Sequence, residues 1–270
     1  MPGLAAQVEQ YSVVIAIGGV AVRVNTTDPD FLYLLQDRYS GYVSDELEAE
    51  FEFDVDLTPP TPHADADVSV TYGSGRWLMT RGDFRAEWEP ATRRGTICQT
   101  ANPYSIDAVL RITHTLVLAR QGGFLLHSAS AIRKGKAFLF AGVSGAGKTT
   151  ISRLAPPDAT LLTDEISYVR KAGDGYVAFG TPFTGELAKI GENTSAPVEA
   201  LYLLAQGREN RIEPVSASDA GRELLANMLF FAEDRQMVHH AFQAACDFVD
   251  RVCVYRLTFV PDARVWELIQ

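Results

Sequence analysis

Eight consecutive residues, Gly142 to Thr149, constrain this chain more than any other stretch. They read GVSGAGKT and fit G-x-x-x-x-G-K-[S/T] at every fixed position. An apolar run, KAFLFAGV at 136–143, predicts a strand before the motif, and a helix is predicted from about Lys148. Such a strand–loop–helix unit cradles phosphate for physical reasons. Gly142, Gly145 and Gly147 let the backbone curl with its amides inward and no side chain in the way. Those amides and the start of the helix attract phosphate oxygens. Lys148 is placed to reach the β- and γ-phosphates, and the Thr149 hydroxyl to coordinate Mg²⁺. The nucleotide-binding candidates are therefore Gly142, Val143, Ser144, Gly145, Ala146, Gly147, Lys148, Thr149 and Thr150, with ATP and Mg²⁺ as the expected cofactors.

Two further elements point to the same place. TLLTDEISYVRK at 160–171 reads as one strand carrying an acidic pair. Asp164 is the expected Mg²⁺ ligand beside Thr149, and Glu165 the expected base or support for that ligand. Successive side chains of a strand face opposite ways, so the two acids are expected to do different jobs. His127 lies in the apolar run FLLHSASAI at 124–132, joined through Arg133-Lys134-Gly135 to the strand that carries the loop. In an antiparallel pair the start of one strand meets the end of the next. That places His127 beside the phosphate site, as a catalytic candidate with Asp164 and Glu165. The competing reading is a buried imidazole bonded to backbone. Glu186, in the Gly- and Pro-containing stretch GTPFTGE, is a candidate contact to the metal or the acceptor, and Lys189 a weaker one. Arg222 and Glu223 read as solvated helix surface. His239 and His240 are neighbours in a helix, face different ways, and are not expected to share a metal.

The rest of the chain divides by pattern. YSVVIAIGGVAVRV at 11–24 predicts two strands around Gly18-Gly19, and Asp28-Pro29 opens a helix. EFEFDVDL at 50–57 alternates as a half-solvated strand does, and TPPTPHADAD at 58–67 reads as a loop. VSVTYG, RWLMTRG, FRAEWE and GTICQT predict an antiparallel meander. Residues 105–119 have helical spacing with Ser105 as a cap. Beyond the acidic pair, GYVAFGTPF at 175–183, EALYLLAQ at 199–206 and VCVYRLTFV at 252–260 read as strands. Residues 218–231, 233–250 and the terminal ARVWELI read as helices. The expected organisation is an N-terminal β-rich α+β module over 1–104 and a phosphate-loop domain over 105–270. The module carries no phosphate or metal signature, so it is expected to recognise a peptide or protein or to mediate self-association.

LLHSASA, a short strand, GVSGAGKT and an acidic pair in that order resemble the catalytic domain of the HPr kinase/phosphorylase family. The resemblance spans roughly residues 105–270. It is greatest to the HPr-kinase-like proteins of bacterial gene clusters, which include the kinases that modify lasso-peptide precursors. GTPFTGE, SAPVEALYLL and VYRLTFVPDARVWELI look similar to segments of those proteins. The resemblance implies an α/β fold with a mixed sheet, on a P-loop kinase core of the HPr kinase/phosphoenolpyruvate carboxykinase type. It also implies that His127 partners the catalytic acid, that Lys148 and Thr149 bind phosphate and metal, and that Asp164 and Glu165 are the family's acidic pair. HPr kinases carry two aspartates there, and this chain carries Asp-Glu. Their glycine-rich regulatory signature is replaced by GTPFTGELAKIGENTSAP, which points away from HPr as the acceptor and from a phosphorylase activity.

Composition narrows the partners. A net charge of -10 argues against a nucleic-acid face. No stretch of 18 apolar residues predicts a transmembrane helix, and no signal peptide is visible at the N-terminus. The three cysteines, Cys98, Cys246 and Cys253, have no metal-site spacing. They read as buried small hydrophobes of a reducing, cytoplasmic setting. The function expected is an ATP- and Mg²⁺-dependent kinase acting on a Ser or Thr hydroxyl of a protein or peptide. The alternatives are a kinase of small molecules such as amino acids or sugars, and a nucleotide-binding regulator with little catalysis. A homo-oligomer is compatible with all three.

Overall fold

The computed structural model describes residues 9–59 and 67–269. Most of the stretch read as a loop at 58–67 lies outside them. The fold is mixed α/β with two mixed sheets, and the chain forms two compact units, 1–110 and 111–270.

The first unit holds a seven-stranded sheet. Strands β1 (Tyr11–Ile17) and β2 (Val20–Thr26) form a hairpin whose two turn residues, Gly18 and Gly19, have φ of 62° and 78°. Positive φ at both positions is what a two-residue turn matched to strand twist requires, and glycine adopts it without strain. Helix α1 (Pro29–Arg38) starts as read: the Asp28 side chain accepts from the Phe31 amide at 2.9 Å and Pro29 opens the helix. Strand β3 (Phe51–Thr58) follows, then β4 (Ser69–Gly73), β5 (Arg76–Arg81), β6 (Phe84–Glu89) and β7 (Arg94–Thr100). The last four form the antiparallel meander that their spacing predicts. The sheet as a whole is mixed, because β3 pairs parallel with both β2 and β7. Phe51, Phe53, Phe84, Ala86 and Trp88 alternate into the core.

Helix α2 (Pro103–Arg120) begins two residues earlier than its pattern suggests, and Ser105 is not its cap. Asn102 takes that role: its side-chain oxygen accepts from the Tyr104 and Ser105 amides, while the Ser105 hydroxyl donates to Asp83. Asparagine and serine are equally good caps, so the pattern alone could not choose between them.

The second unit is built on two long strands, β8 (Phe124–Arg133) and β13 (Ser195–Gln206). Around them lie β9 (Lys136–Ala141), β10 (Ala159–Thr163), β11 (Ile166–Ala172), β12 (Gly175–Phe179), β14 (Arg211–Pro214), the two-residue β15 (Met228–Leu229) and β16 (Cys253–Phe259). The helices are α3 (Lys148–Arg153), α4 (Ala217–Asn227) and α5 (Arg235–Arg251), with a 3-10 turn over Ala263–Glu267. Residues 124–127 of β8 pair with β11, whereas 128–133 pair with β9. Residues 195–197 of β13 pair with β12, and from Val198 onward β13 pairs parallel with β9. The pairings β8–β11–β12–β13–β9–β8 therefore close on themselves. Along β9 and β13, alternate residues sort into two cores. Leu139, Ala141, Leu201 and Leu203 pack with Leu224 of α4 and Phe248 of α5. Phe138, Phe140, Tyr202 and Leu204 pack with Ile151 of α3 and with Trp266.

Several sequence expectations are corrected here. The stretch 160–171 is two strands, β10 and β11, broken at Asp164-Glu165. The Thr163 hydroxyl accepts from the amides of Glu165 and Ile166, both at 3.2 Å, and this local bond replaces ladder pairing. The helix read over 218–231 ends at Asn227, because Met228 and Leu229 pair with Leu126 and Leu125 of β8. The terminal ARVWELI is a 3-10 turn rather than an α-helix. All three cysteines are free and exposed rather than buried. Cys98 lies on the solvent face of β7, between buried Ile97 and Gln99, where strand alternation puts it.

Candidate active site

The register of β8 places the site. His127 is the last residue of β8 paired to β11, opposite Ile166, and Ser128 the first paired to β9, opposite Ala141. The glycine-rich loop starts at Gly142, one residue beyond Ala141. The hairpin thus brings His127 and the loop to the same corner, as the sequence predicts. Beneath them the Ser128 and Ser167 hydroxyls bond to each other at 2.8 Å and lock β8 to β11.

The loop is held from several sides. Gly147, with φ of 112°, leads directly into α3, and a Cβ there would lie 2.6 Å from the ring of Phe259 on β16. The Gln206 side-chain amide, at the end of β13, donates to the Gly145 carbonyl at 2.7 Å. Lys148 is buried, and its ammonium donates to the Gly142 carbonyl at 2.8 Å. Burial lowers the Lys148 pKa, against the opposing pull of Glu165 and Glu186.

A cavity of about 460 Å³ opens over this corner, lined by His127, Gly145, Lys148, Thr149, Glu165 and Glu186 among others. The Thr149 hydroxyl donates to the Glu186 carboxylate at 3.2 Å. His127 Nε2 lies 3.4 Å from Glu165 Oε1. Three effects depress the His127 imidazolium: partial burial first, then the positive charges of Lys148 and Arg111. Glu165 works against them.

The acidic pair splits by geometry. Glu165 faces the cavity, whereas Asp164 is buried and does not line it. The two Asp164 oxygens accept from the backbone amides of Gly185 and Leu187, at 3.0 and 2.9 Å. Asp164 thus braces the segment that presents Glu186. Thr149, Glu165 and Glu186 come together at the cavity, and the metal ligand expected at Asp164 is tied to backbone instead. Among the described residues, no group of three or more His, Cys, Asp or Glu side chains is arranged to hold a metal. Lys189 is exposed, Arg222 pairs with Asp219 on α4, and His239 and His240 are neighbours on α5.

The sequence matches the family described as SynChlorMet cassette protein ScmC over residues 99–270, a span that contains every residue of this cavity. The chain belongs to that family. No curated protein matches it. Among solved structures, the Hpr(Ser) kinase/phosphatase from Coxiella burnetii is similar over 50% of this chain and 84% of that one. The identity is 10% and the TM-score 0.26.

Within the ScmC-family segment, three contributors escaped the motif reading. Gly185 packs on both acids: a Cβ there would sit 2.8 Å from Glu165 Oε2 and 3.0 Å from Asp164 Oδ2. Gln206 carries no signal beyond its place at the end of an apolar strand. Arg111 does have one: it is the sole Lys, Arg, Asp or Glu between Asp107 and Arg120 in an otherwise apolar helix.

Proposed function

We propose that this chain is an ATP- and Mg²⁺-dependent phosphotransferase built on the loop 142–149, with a P-loop core of the HPr kinase type. Its acceptor would be a Ser or Thr hydroxyl of a peptide or protein. The observation that carries this reading is the convergence of a complete G-x-x-x-x-G-K-T loop, a His–Glu pair and a Thr–Glu pair on one open cavity.

Magnesium fits the donor set. Thr149 and Glu186 offer two hard oxygen donors 3.2 Å apart, and Mg²⁺ is commonly held by one or two protein oxygens while phosphates and water complete its shell. Bound there, the ion would neutralise charge on the nucleotide phosphates. The loop amides cradle the phosphates, and Lys148 turns from the Gly142 carbonyl toward the γ-phosphate. Glu165 takes the proton of the acceptor hydroxyl, and His127 orients that carboxylate and steadies its charge. The acceptor oxygen then forms its bond to the γ-phosphorus as the bond to the ADP oxygen breaks, and ADP leaves.

The test is calorimetry with Mg·ATP on the intact chain and on Lys148→Ala. The variant should lose nucleotide affinity, because the phosphates lose a buried cation. Equal affinity in both proteins would rule the assignment out.

A further inference from the structure

Arg111, on α2, is the first residue of the second unit. Its guanidinium carbon stands 4.7 Å from the ring centroid of Phe183, which is fully buried. Phe183 sits at the middle of a segment tied down on both sides. Before it, the Thr181 hydroxyl donates to the Ile166 carbonyl at 2.8 Å. After it, the Gly185 and Leu187 amides donate to Asp164. The Phe183 carbonyl itself accepts from Thr163, whose hydroxyl shapes the bend that carries both acids. Glu186 therefore hangs from a clip fixed by hydrogen bonds at Thr181, Phe183, Gly185 and Leu187, with the ring of Phe183 as its apolar anchor.

A methionine or leucine at position 111 would pack against a buried ring without taking a cation out of water. The arginine also places a second positive charge near His127, beside that of Lys148, where it opposes protonation of the imidazole. On the ring, the planar cation contributes something an apolar side chain does not. Stacking of a guanidinium on an aromatic face is directional and holds the ring in one orientation, which bulk alone does not.

We propose that Arg111 is a positioning residue for the reaction site: through Phe183 it fixes segment 180–187, and thereby the place of the Glu186 carboxylate opposite Thr149. This rests on the phosphotransferase reading for its purpose. The mechanical part stands without it.

The experiment uses the intact chain as wild type, Arg111→Met, Arg111→Lys, Phe183→Leu and the double variant Arg111→Met/Phe183→Leu. Amide hydrogen exchange of the nucleotide-free protein reads the clip directly at Gly185 and Leu187. Calorimetry with ATP, once with Mg²⁺ and once with EDTA, reads its consequence. Exchange at the two amides should rise on the order of tenfold in Arg111→Met, the size expected of a partly desolvated cation–π contact. The gain in ATP affinity conferred by Mg²⁺ should fall by a similar factor, while the affinity in EDTA, set by the loop 142–149, stays put. Arg111→Lys should fall between, and the double variant should be no worse than either single one.

Unchanged exchange in a folded Arg111→Met protein would overturn the proposal. So would faster exchange with an unchanged Mg²⁺ gain, which would make Arg111 a packing residue without effect on the site. If the wild type binds ATP under neither condition, the phosphotransferase reading fails, and the exchange result alone then decides whether Arg111 holds the segment.

Discussion

Replacing Gly185 by alanine probes the site at the place where the backbone leaves least room. A Cβ built there meets Glu165 Oε2 at 2.8 Å, Asp164 Oδ2 at 3.0 Å and Glu165 Cβ at 3.0 Å. The carboxylate oxygen of Glu165 can rotate away at small cost. Its Cβ cannot, because it is fixed by the bend at 163–166. Carbon atoms prefer about 3.5 Å or more, so roughly half an ångström must be found by moving the bend or the 180–187 segment. Overpacking of this kind costs about 1–3 kcal/mol, and the small displacement argues for the lower end, about 1 kcal/mol. For chains of this size that lowers Tm by about 2–4 °C. The functional loss should be larger than the stability loss. Shifting Glu165 changes its 3.4 Å approach to His127, and a 1 Å misplacement can cost about a hundredfold in rate. ATP turnover, with water as acceptor, should fall about tenfold. Gly175→Ala is the control, since nothing lies within 4 Å of a Cβ there and its φ is not positive. If Gly185→Ala melts within about 1 °C of Gly175→Ala and turns over ATP equally fast, the steric account of the acidic bend is wrong.

The remaining predictions concern titration away from the cavity. Burial works against the Asp247 charge, yet hydrogen bonds from Tyr176, Arg251 and Lys171 outweigh it and hold the carboxyl at about 2. A depressed carboxylate stabilises the fold above its unfolded pKa near 4, and that contribution disappears as pH falls toward 2. Thermal melts of wild type and Asp247→Asn should therefore differ at neutral pH, differ less by about pH 3, and converge only at about pH 2 and below. His114 is fully buried on α2, edge-on to Tyr168, and burial lowers its pKa to about 3. The unfolded chain then binds the proton more readily, so stability falls with pH between about 6.5 and 3, by up to about 1.4 kcal/mol per unit. His114→Phe keeps the ring and should remove that slope; an unchanged slope would mean that His114 does not titrate in this way.

The loop 142–149 and its neighbour His127 were legible because each rests on local chemistry: a complete motif in one case, a tight hairpin in the other. Strand periodicity likewise predicted β1, β2 and β3, and the meander β4–β7. What sequence could not show was the pairing that overrides local preference. Met228 and Leu229 continue a helical pattern, but β8 offers them unpaired backbone, and pairing wins. The acidic pair read as part of one strand because apolar residues flank it on both sides. The break there comes from the Thr163 hydroxyl, whose bonds to the Glu165 and Ile166 amides leave no trace in hydrophobic periodicity. Gly185 was illegible for another reason, since its role is contact to residues far away in the chain; the lone charge of Arg111 in an apolar helix marked the position but not its partner.

That break also changes what a substitution at Asp164 should do. On an unbroken strand Asp164 would point at the phosphates, and Asp164→Asn would weaken Mg·ATP by removing a ligand. In the fold its oxygens hold the Gly185 and Leu187 amides, so the same substitution acts through the segment that carries Glu186. Asparagine keeps one acceptor oxygen and sets an amide N–H₂ against the other backbone N–H, so one bond is lost and two donors face each other. The hydrogen bonds to a charged group are worth about 1.5–3 kcal/mol each. Both accounts predict weaker Mg·ATP binding, and affinity alone cannot separate them. Protection of the 185–187 amides in the nucleotide-free protein can. A direct ligand leaves it unchanged when replaced. A brace loses it, by about tenfold to a hundredfold for a bond of that strength. Full protection of those amides in Asp164→Asn, together with lost Mg·ATP affinity, would return Asp164 to the metal.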